Sequence, residues 1–443
     1  MSERRLFLHT PSGLPSTRAR GAKPGEDCYP ERALLMARSG DLVCVAAPVD
    51  HEYLAWLNAQ GVGPAPADVM VVDGTPEASA EFCLAARMCR DAALLARIAA
   101  RMPADGGIQL HPYAVTPEIA AVAEALRAAG VARVRVAGGD PGATARADRK
   151  HDMRARAVEL GIPVAEGEVV ELQVAGGRRR RDFEPVRAAI QRQLRRTGQV
   201  IVRGSLGTIG SSTFIVGRGG DDTDGVLRRL GTRADNRVYL VEALVDLTVS
   251  PNLHLRLDDG GGIATLEATD QRWSRPFVHA GNVFPSAARR LDAMEEWARA
   301  LAASLQADGF GGDVGLDFVE YRDPATGAPR AFLAEVNPRV NGAGYPLALR
   351  ARLNAVRHAA GRAPISAFAS GTIETRAEGF GQLREALGDL LFTHERGTGI
   401  VPYLTGWLPR GRCGVVALAA GREEALALHA EAQAAMEAAW AAR

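Results

Sequence analysis

The sequence has 443 residues, enough for about two to four domains with well-buried cores. Its 53 basic and 52 acidic side chains nearly cancel, so no strong basic surface predicts nucleic acid or an anionic membrane as a partner. The composition, with 47% hydrophobic and 5% aromatic residues, is that of a globular protein.

The sequence predicts a protein of the reduced cytoplasm. The first ten residues, MSERRLFLHT, contain an apolar run of only three residues, which is too short for a secretory signal. No apolar stretch reaches the length of a membrane span. The five cysteines form no CxxC pair and no Cys/His metal spacing, so we expect buried, unreactive thiols.

The first 140 residues alternate between strand and helix patterns. Strands are predicted at 4–9, 41–47, 68–72, 107–111 and 132–139, and helices at 51–60, 77–101 and 116–130. This alternation predicts a parallel α/β layer of Rossmann type. Residues 138–149, GGDPGATARADR, are predicted to be a turn-rich hinge. They contain no complete GxGxxG, which argues against a dinucleotide-binding oxidoreductase.

The next segment contains a glycine-rich loop between two predicted strands. Residues 150–170 are predicted as helix, turn and strand, 185–197 as a helix and 199–203 as a strand. A charged turn at 176–182, GGRRRRD, could bind phosphate or could be a solvated loop. The loop that follows, GSLGTIGSS, carries glycines and hydroxyl side chains at Gly204, Ser205, Gly207, Thr208, Gly210, Ser211 and Ser212.

Such a loop is suited to phosphate groups, because its backbone amides can close around an anion and its hydroxyls add donors. It lacks the GK[ST] ending of a Walker A loop, so we interpret it as a flexible hairpin lid over a nucleotide; the alternative is an ordinary hairpin turn. Lys150 and Arg203 stand at its base, where they could neutralise phosphate charge or be surface charges.

A hairpin is predicted over 311–339, with its turn at 323–329, and it carries acidic and amide side chains. Asp317 interrupts an apolar strand, where a carboxylate is rare unless it is paired or binds a metal. In AFLAEVNPR, Glu335, Asn337 and Arg339 alternate and would face one side. Because these side chains offer hard oxygen ligands and no His or Cys is nearby, they predict a Mg²⁺ or Mn²⁺ ion that is shared with substrate phosphates. A structural salt bridge is the alternative.

The remaining elements are predicted from periodicity alone. Strands and turns are predicted over 237–261, a helix over 287–308, strands over 398–404 and 413–419 and a helix over 422–441, with a helix and a mixed segment between 340 and 398.

In this order of residues, the sequence resembles the ATP-grasp ligases over roughly 150–345, most specifically in the ExNPR segment at Glu335. The resemblance implies that ATP lies between two α+β subdomains. It implies adenine contacts at Glu242, Ala243 and Leu244, metal ligands at Asp317, Glu335 and Asn337, and phosphate cations at Lys150, Arg203 and Arg339. Two positions depart from the family pattern. Arg203 stands where the family commonly has Lys, and Val249 stands where it often has a ribose-binding Glu. Asp246 could substitute for that Glu.

A narrower resemblance covers most of the chain. The Rossmann-like front, HAGNVFPS (279–286), NPRVNGAGYP (337–346) and the tail at 397–419 resemble the peptide ligases related to that of pheganomycin biosynthesis. This resemblance implies a pre-ATP-grasp domain at 1–140, an ATP-grasp domain at 141–350 and a small C-terminal α+β domain at 351–443. The lid subdomain would cover 150–240 and the metal subdomain 241–350. The implied reaction joins an amino-acid carboxylate to the amine of an amino acid or peptide in secondary metabolism.

The substrates are expected to be small molecules, and the chain is compatible with a homodimer. Arg275, His279, Asn282 and Asn341 are candidate substrate-binding residues, with a satisfied polar loop as the alternative. Other functions stay open: a thioester-forming or phosphate-transferring enzyme of the same fold, or a non-catalytic nucleotide-binding regulator. A regulator could lose a metal carboxylate, and the retention of Asp317, Glu335 and Asn337 argues against it.

Overall fold

The computed structural model describes residues 3–20, 24–72, 83–102, 106–173, 182–207, 213–231, 236–258, 261–275 and 278–441. Within them, the backbone forms three β-sheets with helices packed on their faces.

The N-terminal sheet has five parallel strands in the order β3-β2-β1-β4-β5. Its strands are β1 (Arg4–Leu8), β2 (Leu42–Val45), β3 (Val69–Val71), β4 (Gly107–Pro112) and β5 (Arg133–Val136), and its helices are α1 (Pro15–Arg20), α2 (His51–Ala59), α3 (Leu84–Met88), α4 (Ala92–Ala99) and α5 (Pro117–Ala128). The predicted parallel α/β layer is therefore confirmed. The carboxyl ends of the central strands β1 and β4 lie side by side, so His9 and His111 come to the same edge.

Two sequence predictions in this region are wrong. The single long helix over 77–101 is two short helices, α3 and α4, in its described part, because Asp91 caps a new helix by accepting from the Leu94 amide at 2.8 Å. The turn-rich hinge at 138–149 contains helix α6 (Pro141–Ala147). Asp140 caps this helix through the Ala143 amide, and Pro141 occupies its first position; this start signal outweighs the glycines.

A second sheet of four antiparallel strands, which we call the lid sheet, follows in the order β6-β9-β7-β8. It contains β6 (Gly167–Glu171), β7 (Gln199–Gly204), β8 (Thr213–Gly217) and β9 (Val238–Ala243), with helices α7 (Lys150–Glu159), α8 (Glu184–Thr197) and α9 (Thr223–Gly231). Val186, Ala189 and Ile190 form one buried face of α8 against this sheet. The predicted hairpin is confirmed by the pairing of Arg203 with Thr213. Its tip at 208–212 and most of the charged turn at 176–182 lie outside the described residues.

The third and largest sheet has nine antiparallel strands in the order β10-β14-β11-β12-β13-β16-β18-β17, with β15 paired to β14. Its strands are β10 (Leu247–Val249), β11 (Pro251–Leu257), β12 (Ile263–Arg275), β13 (Val278–Phe284), β14 (Gly312–Arg322), β15 (Pro329–Asn337), β16 (Ala367–Glu374), β17 (Gly399–Tyr403) and β18 (Arg412–Ala419). Its helices are α10 (Leu291–Ala307), α11 (Gly344–Ala359), α12 (Phe380–Leu387) and α13 (Arg422–Ala441). The predicted hairpin over 311–339 is confirmed as β14 and β15.

The C-terminal strands continue this third sheet through the pairing of β13 with β16. They also pack on the N-terminal domain: the Tyr53 hydroxyl donates to the Pro402 carbonyl at 3.0 Å, and Glu31 accepts from the Thr405 amide at 2.6 Å. The boundary predicted at 350 falls inside α11. The division into three domains stays a prediction.

The cysteines are all unpaired, as expected. Cys44 and Cys413 are buried, whereas Cys28, Cys83 and Cys89 are partly exposed, so the expectation of burial holds for only two of them. Among the described helices, none has the length and apolarity that a bilayer crossing requires.

Candidate active site

A cleft of ≈ 900 Å³, including its open mouth, separates the lid sheet from the β14–β15 hairpin. Ile201 and Ala243 of the lid sheet form one apolar wall, and Phe318 and Phe332 of the hairpin form the other. Such walls are suited to a flat, largely apolar ring system. The charged residues that line the cleft are Lys150, Arg203, Glu242, Asp317 and Glu335.

Asp317 and Glu335 stand directly opposite each other on β14 and β15, and a bulge follows at once. Asp317 accepts hydrogen bonds from Asn252 Nδ2 at 2.5 Å and from Asn337 Nδ2 at 2.9 Å. Burial and the charge of Glu335 nevertheless raise the pKa of Asp317 to about 6. A buried carboxylate and a partly buried one on neighbouring positions repel each other, and this repulsion favours a bound cation between them.

Lys150 supplies part of that positive charge. Its Nζ lies 3.0 Å from Glu335 Oε1 and donates to the Gly207 carbonyl at 2.8 Å. Burial acts to raise the pKa of Glu335, but the charges of Lys150 and Arg203 outweigh it and leave that pKa below its usual value. Lys150 thus connects the base of the lid loop to the acidic hairpin.

The residues present fit a magnesium ion. Asp317 and Glu335 offer hard carboxylate oxygens, and Mg²⁺ in proteins is often held by one or two carboxylates together with substrate phosphates. In the described part of the chain, no three His, Cys, Asp or Glu side chains come together as a metal site. The predicted third ligand, Asn337, turns its nitrogen to Asp317 and accepts from Arg339 through its oxygen. Its amide would have to turn over before its oxygen could reach a metal.

Arg203 is engaged with Glu242, the residue predicted to lie near adenine. Arg203 Nε and Nη2 donate to Glu242 Oε2 at 3.0 and 2.5 Å, and Arg154 Nη1 donates to Oε1 at 2.8 Å. Glu242 is only 1% exposed, so two guanidinium groups share one buried carboxylate and a net positive charge remains. Arg203 Nη1 also donates to the Ala334 carbonyl at 2.8 Å and so ties the lid sheet to β15.

Ala243 and Leu244, at the end of β9, line the cleft, and their backbone amides are already engaged. Their adenine contact stays a prediction. The Ala243 amide donates to the Glu166 carbonyl at 2.7 Å, and the Leu244 amide donates to the Gln199 carbonyl at 3.3 Å. Asp246 is exposed and lies outside the lining of the cleft, so its ribose contact stays a prediction.

The base of the lid loop is held by contacts to two neighbouring segments. The Ser205 hydroxyl lies 2.5 Å from His151 Nδ1, and a Cβ at Gly204 would lie 2.6 Å from Asn236 Nδ2. The Leu206 amide donates to Asn236 Oδ1 at 2.7 Å. Of the other predicted phosphate-binding residues, Gly207 is held by Lys150, whereas Thr208, Gly210, Ser211 and Ser212 lie outside the described residues.

Three of the four predicted substrate residues are connected to the hairpin or to the loop after it. Asn341 Nδ2 donates to Asn252 Oδ1 at 2.9 Å, which extends the chain of hydrogen bonds from Asp317. His279 Nε2 lies 3.1 Å from Asn282 Oδ1, and a Cβ at Gly342 would lie within 3.3 Å of both side chains.

Arg275 differs from these residues because it is exposed at the end of β12. Its proposed substrate contact therefore stays a prediction without a neighbour from the site.

The sequence reasoning missed several residues of the site. Asn252 lies in the apolar strand β11, which is the same signal that identified Asp317. Gln271 and Trp273 line the cleft from β12, and no local pattern distinguishes them. Asp148 is buried and accepts a hydrogen bond from the Ser16 amide at 2.7 Å. Burial raises the pKa of Asp148, although the charge of Arg339 acts in the opposite direction.

Comparisons with known proteins show the fold. A family model described as the pre ATP-grasp domain matches residues 30–128. A search of curated proteins found no match to the sequence. Biotin carboxylase from Campylobacter jejuni is similar with a TM-score of 0.57 and 13% identity, over 95% of this chain and 89% of that chain. N5-carboxyaminoimidazole synthetase from Staphylococcus aureus has a TM-score of 0.53 and 10% identity, over 99% and 100%.

The N5-carboxyaminoimidazole ribonucleotide synthetase from Thermus thermophilus has a TM-score of 0.51 and 12% identity, over 96% of each chain. The chain thus has a parallel pre-ATP-grasp domain followed by the antiparallel sheets of the ATP-grasp fold.

Proposed function

We propose that the protein is an ATP-dependent carboxylate–amine ligase that acts through an acylphosphate and releases ADP and phosphate. The observation that carries this proposal is the position of Asp317 and Glu335, which face each other at the cleft beside Lys150 and Arg203. An apolar cleft for a base, cations for phosphates and two carboxylates for a metal are the parts that phosphoryl transfer from ATP needs.

In the first step, an oxygen of the substrate carboxylate attacks the γ-phosphorus of ATP, and the bond to the β-phosphate oxygen breaks with release of ADP. Both reactants are anionic, so their approach needs positive charge. Lys150 and Arg203 would hold phosphate oxygens, and Arg339 would neutralise both the carboxylate and the γ-phosphate as they approach each other. A Mg²⁺ ion held by Asp317 and Glu335 would add charge neutralisation at the phosphates. The protein's contribution is orientation and charge stabilisation.

In the second step, an amine attacks the acyl carbon and expels phosphate, and the attacking nitrogen loses a proton. His279 is suited to accept it. Asn282 Nδ2 donates to Thr269 Oγ1 at 3.2 Å, which leaves its Oδ1 as the acceptor for His279 Nε2–H and leaves Nδ1 of His279 with a lone pair. Burial lowers the pKa of His279, so the ring is neutral at pH 7. We propose that this ring positions the amine and takes its proton.

The substrates are proposed to be an amino-acid carboxylate and the amine of an amino acid or peptide, in secondary metabolism. This part of the proposal is supported by the motifs NPRVNGAGYP and HAGNVFPS. Asn341 of the first motif bonds to Asn252, the partner of Asp317, and His279 and Asn282 of the second lie beside Gly342 in the loop after the hairpin. The unpaired cysteines fit a reducing compartment, and we place the reaction in the cytoplasm.

The test is an ATP assay that resolves the products. The protein is incubated with Mg²⁺-ATP and pooled amino acids and short peptides, with Glu335→Gln in parallel to detect contaminating activity, and nucleotides and new masses are followed by mass spectrometry. ADP together with a mass equal to two substrates minus water supports the ligase. AMP with pyrophosphate overturns the acylphosphate. ADP without a condensed product favours a thioester-forming or phosphate-transferring enzyme. Nucleotide that binds without being turned over favours a regulator.

A further inference from the structure

Arg32 is a partly buried cation without a counter-charge. Its guanidinium carbon lies 4.3 Å from the ring centroid of Tyr29 and 4.6 Å from that of Tyr345, and its Nε donates to the Tyr29 carbonyl at 3.2 Å. Its Nη2 is buried and has no hydrogen-bond partner. No carboxylate of the described residues lies within ion-pair distance of it. An unpaired guanidinium in such surroundings is costly, and an anion would compensate for that cost.

Arg339 shares a neighbour with Arg32, although Asp148, Glu335 and Asp317 are close enough to act on its charge. It donates to the Asn337 amide oxygen but forms no ion pair with any described carboxylate. Both arginines approach the same aromatic ring: the guanidinium carbons of Arg32 and Arg339 lie 5.8 and 6.0 Å from the ring centroid of Tyr113. The two carbons are therefore at most about 12 Å apart. Arg32, Tyr113 and Arg339 all retain some exposure, so a ligand can reach each of them.

Other cations in this part of the molecule have acidic partners. Lys150 lies 3.0 Å from Glu335, and Arg256 lies 3.3 Å from Asp313. Arg32 and Asp313 both act on the charge of His9, yet Asp313 pairs with Arg256 and no described carboxylate pairs with Arg32. The contrast indicates that its counter-charge comes from a ligand.

The ends of the N-terminal sheet add a buried polar group at the same place. His9 follows β1, is 0% exposed and contacts the Tyr345 hydroxyl through Nδ1 at 3.0 Å, while its Nε2 has no partner. Burial and the neighbouring His111 lower the pKa of His9, so the ring is a neutral hydrogen-bonding group. Ligands of open α/β sheets bind at the carboxyl ends of the strands. His9 lies at this edge, and both His9 and Arg32 contact Tyr345.

We propose that Arg32, together with the neighbouring His9 and Tyr113, binds a second carboxylate beside the carboxylate that is activated at Arg339. This inference rests on the proposed function and adds a substrate requirement to it: the reacting complex carries two carboxylates spaced so that Arg32 and Arg339 can each bind one. The second carboxylate belongs either to the same acid or to the amine-bearing acceptor, and the chemistry that recognises it is the same.

The test is direct binding by calorimetry with matched probes in the presence of Mg²⁺-ADP, which fills the nucleotide cleft. One arm compares succinate, glutarate, adipate and pimelate with their monomethyl esters. The other arm compares amino acids and dipeptides with their C-terminal amides. Each pair is measured on the unmodified protein, on Arg32→Gln, on the charge-retaining Arg32→Lys, and on Arg299→Gln, which removes an exposed arginine from α10.

We expect at least one pair in which the free carboxylate binds about tenfold more tightly than its blocked partner. Arg32→Gln should abolish that preference, Arg32→Lys should keep part of it, and Arg299→Gln should leave it unchanged. The arm that shows the preference identifies which substrate carries the second carboxylate. Equal binding within every pair, or a preference that survives Arg32→Gln, overturns the inference. Failure of the proposed function is distinguishable, because it removes ADP formation but not carboxylate binding.

Discussion

Lys150 reaches from the first turn of α7 to Glu335 on β15, with 3.0 Å between Nζ and Oε1, while the same Nζ holds the Gly207 carbonyl at the base of the lid loop. One cation thereby joins the lid sheet to the acidic hairpin. The two contacts leave one of the three donors of the ammonium group for a nucleotide phosphate.

Asp317→Asn should reduce ADP formation at saturating Mg²⁺ by at least about 100-fold, because the substitution removes one of two anionic oxygen ligands from the proposed metal site. Its volume is unchanged, so the circular dichroism spectrum should stay the same. Asp323→Asn makes the same chemical change at the turn of the same hairpin and should retain activity. Full activity of Asp317→Asn with Mg²⁺ would remove the metal site from the mechanism.

Glu242→Ala should lower the free energy of unfolding by about 3–5 kcal/mol, because it leaves Arg154 and Arg203 buried without their shared carboxylate. Urea denaturation measures this loss. Glu168→Ala, which removes the exposed partner of Arg192 from the same sheet, should cost no more than about 1 kcal/mol. Equal losses in the two variants would contradict a structural role for the Glu242 pair.

The acidic hairpin could be predicted because its signals are local. Alternation along AFLAEVNPR and a carboxylate within an apolar strand need only neighbouring residues, and β14 and β15 indeed place Asp317 opposite Glu335. The strand–helix alternation of the first 140 residues likewise predicted the parallel sheet.

Contacts between distant segments could not be predicted from such patterns. Arg32 and Arg339 meet Tyr113 from positions far apart in the chain, and Arg154 shares Glu242 with the expected Arg203. The pairing of β13 with β16, which makes the C-terminal strands part of the largest sheet, is also a long-range contact that hydrophobic periodicity does not encode.

Gly315→Ala should displace Asn341, since a Cβ at this position would lie 1.9 Å from Asn341 Nδ2. The substitution breaks the hydrogen-bond chain from Asn341 through Asn252 to Asp317. We expect a loss of about 1–3 kcal/mol in stability and a raised KM for the substrate acid. Gly421→Ala is the control, because a Cβ there meets nothing within 4 Å. Unchanged kinetics in Gly315→Ala would argue that Asn341 does not position substrate.

His279→Gln should lower kcat by about 100-fold at pH 7, because glutamine can still donate to Asn282 but has no basic nitrogen for the amine proton. The deficit should shrink as the pH is raised, because hydroxide can then take the proton that the attacking nitrogen loses. A pH–rate profile of both proteins distinguishes this from a packing defect, which would lower the rate equally at every pH.

His429 should make the fold sensitive to mild acid. It is 8% exposed, and burial together with the charge of Arg272 lowers its pKa to about 4. Between pH 6.5 and 4, the unfolded chain binds the proton and the folded protein does not, so stability falls as the pH drops and is fully present only above the unfolded pKa. From pH 7 to pH 5 this residue alone should cost about 2 kcal/mol. His429→Gln should flatten the dependence of Tm on pH over this window, whereas an unchanged slope would show that His429 is charged or accessible in the folded protein.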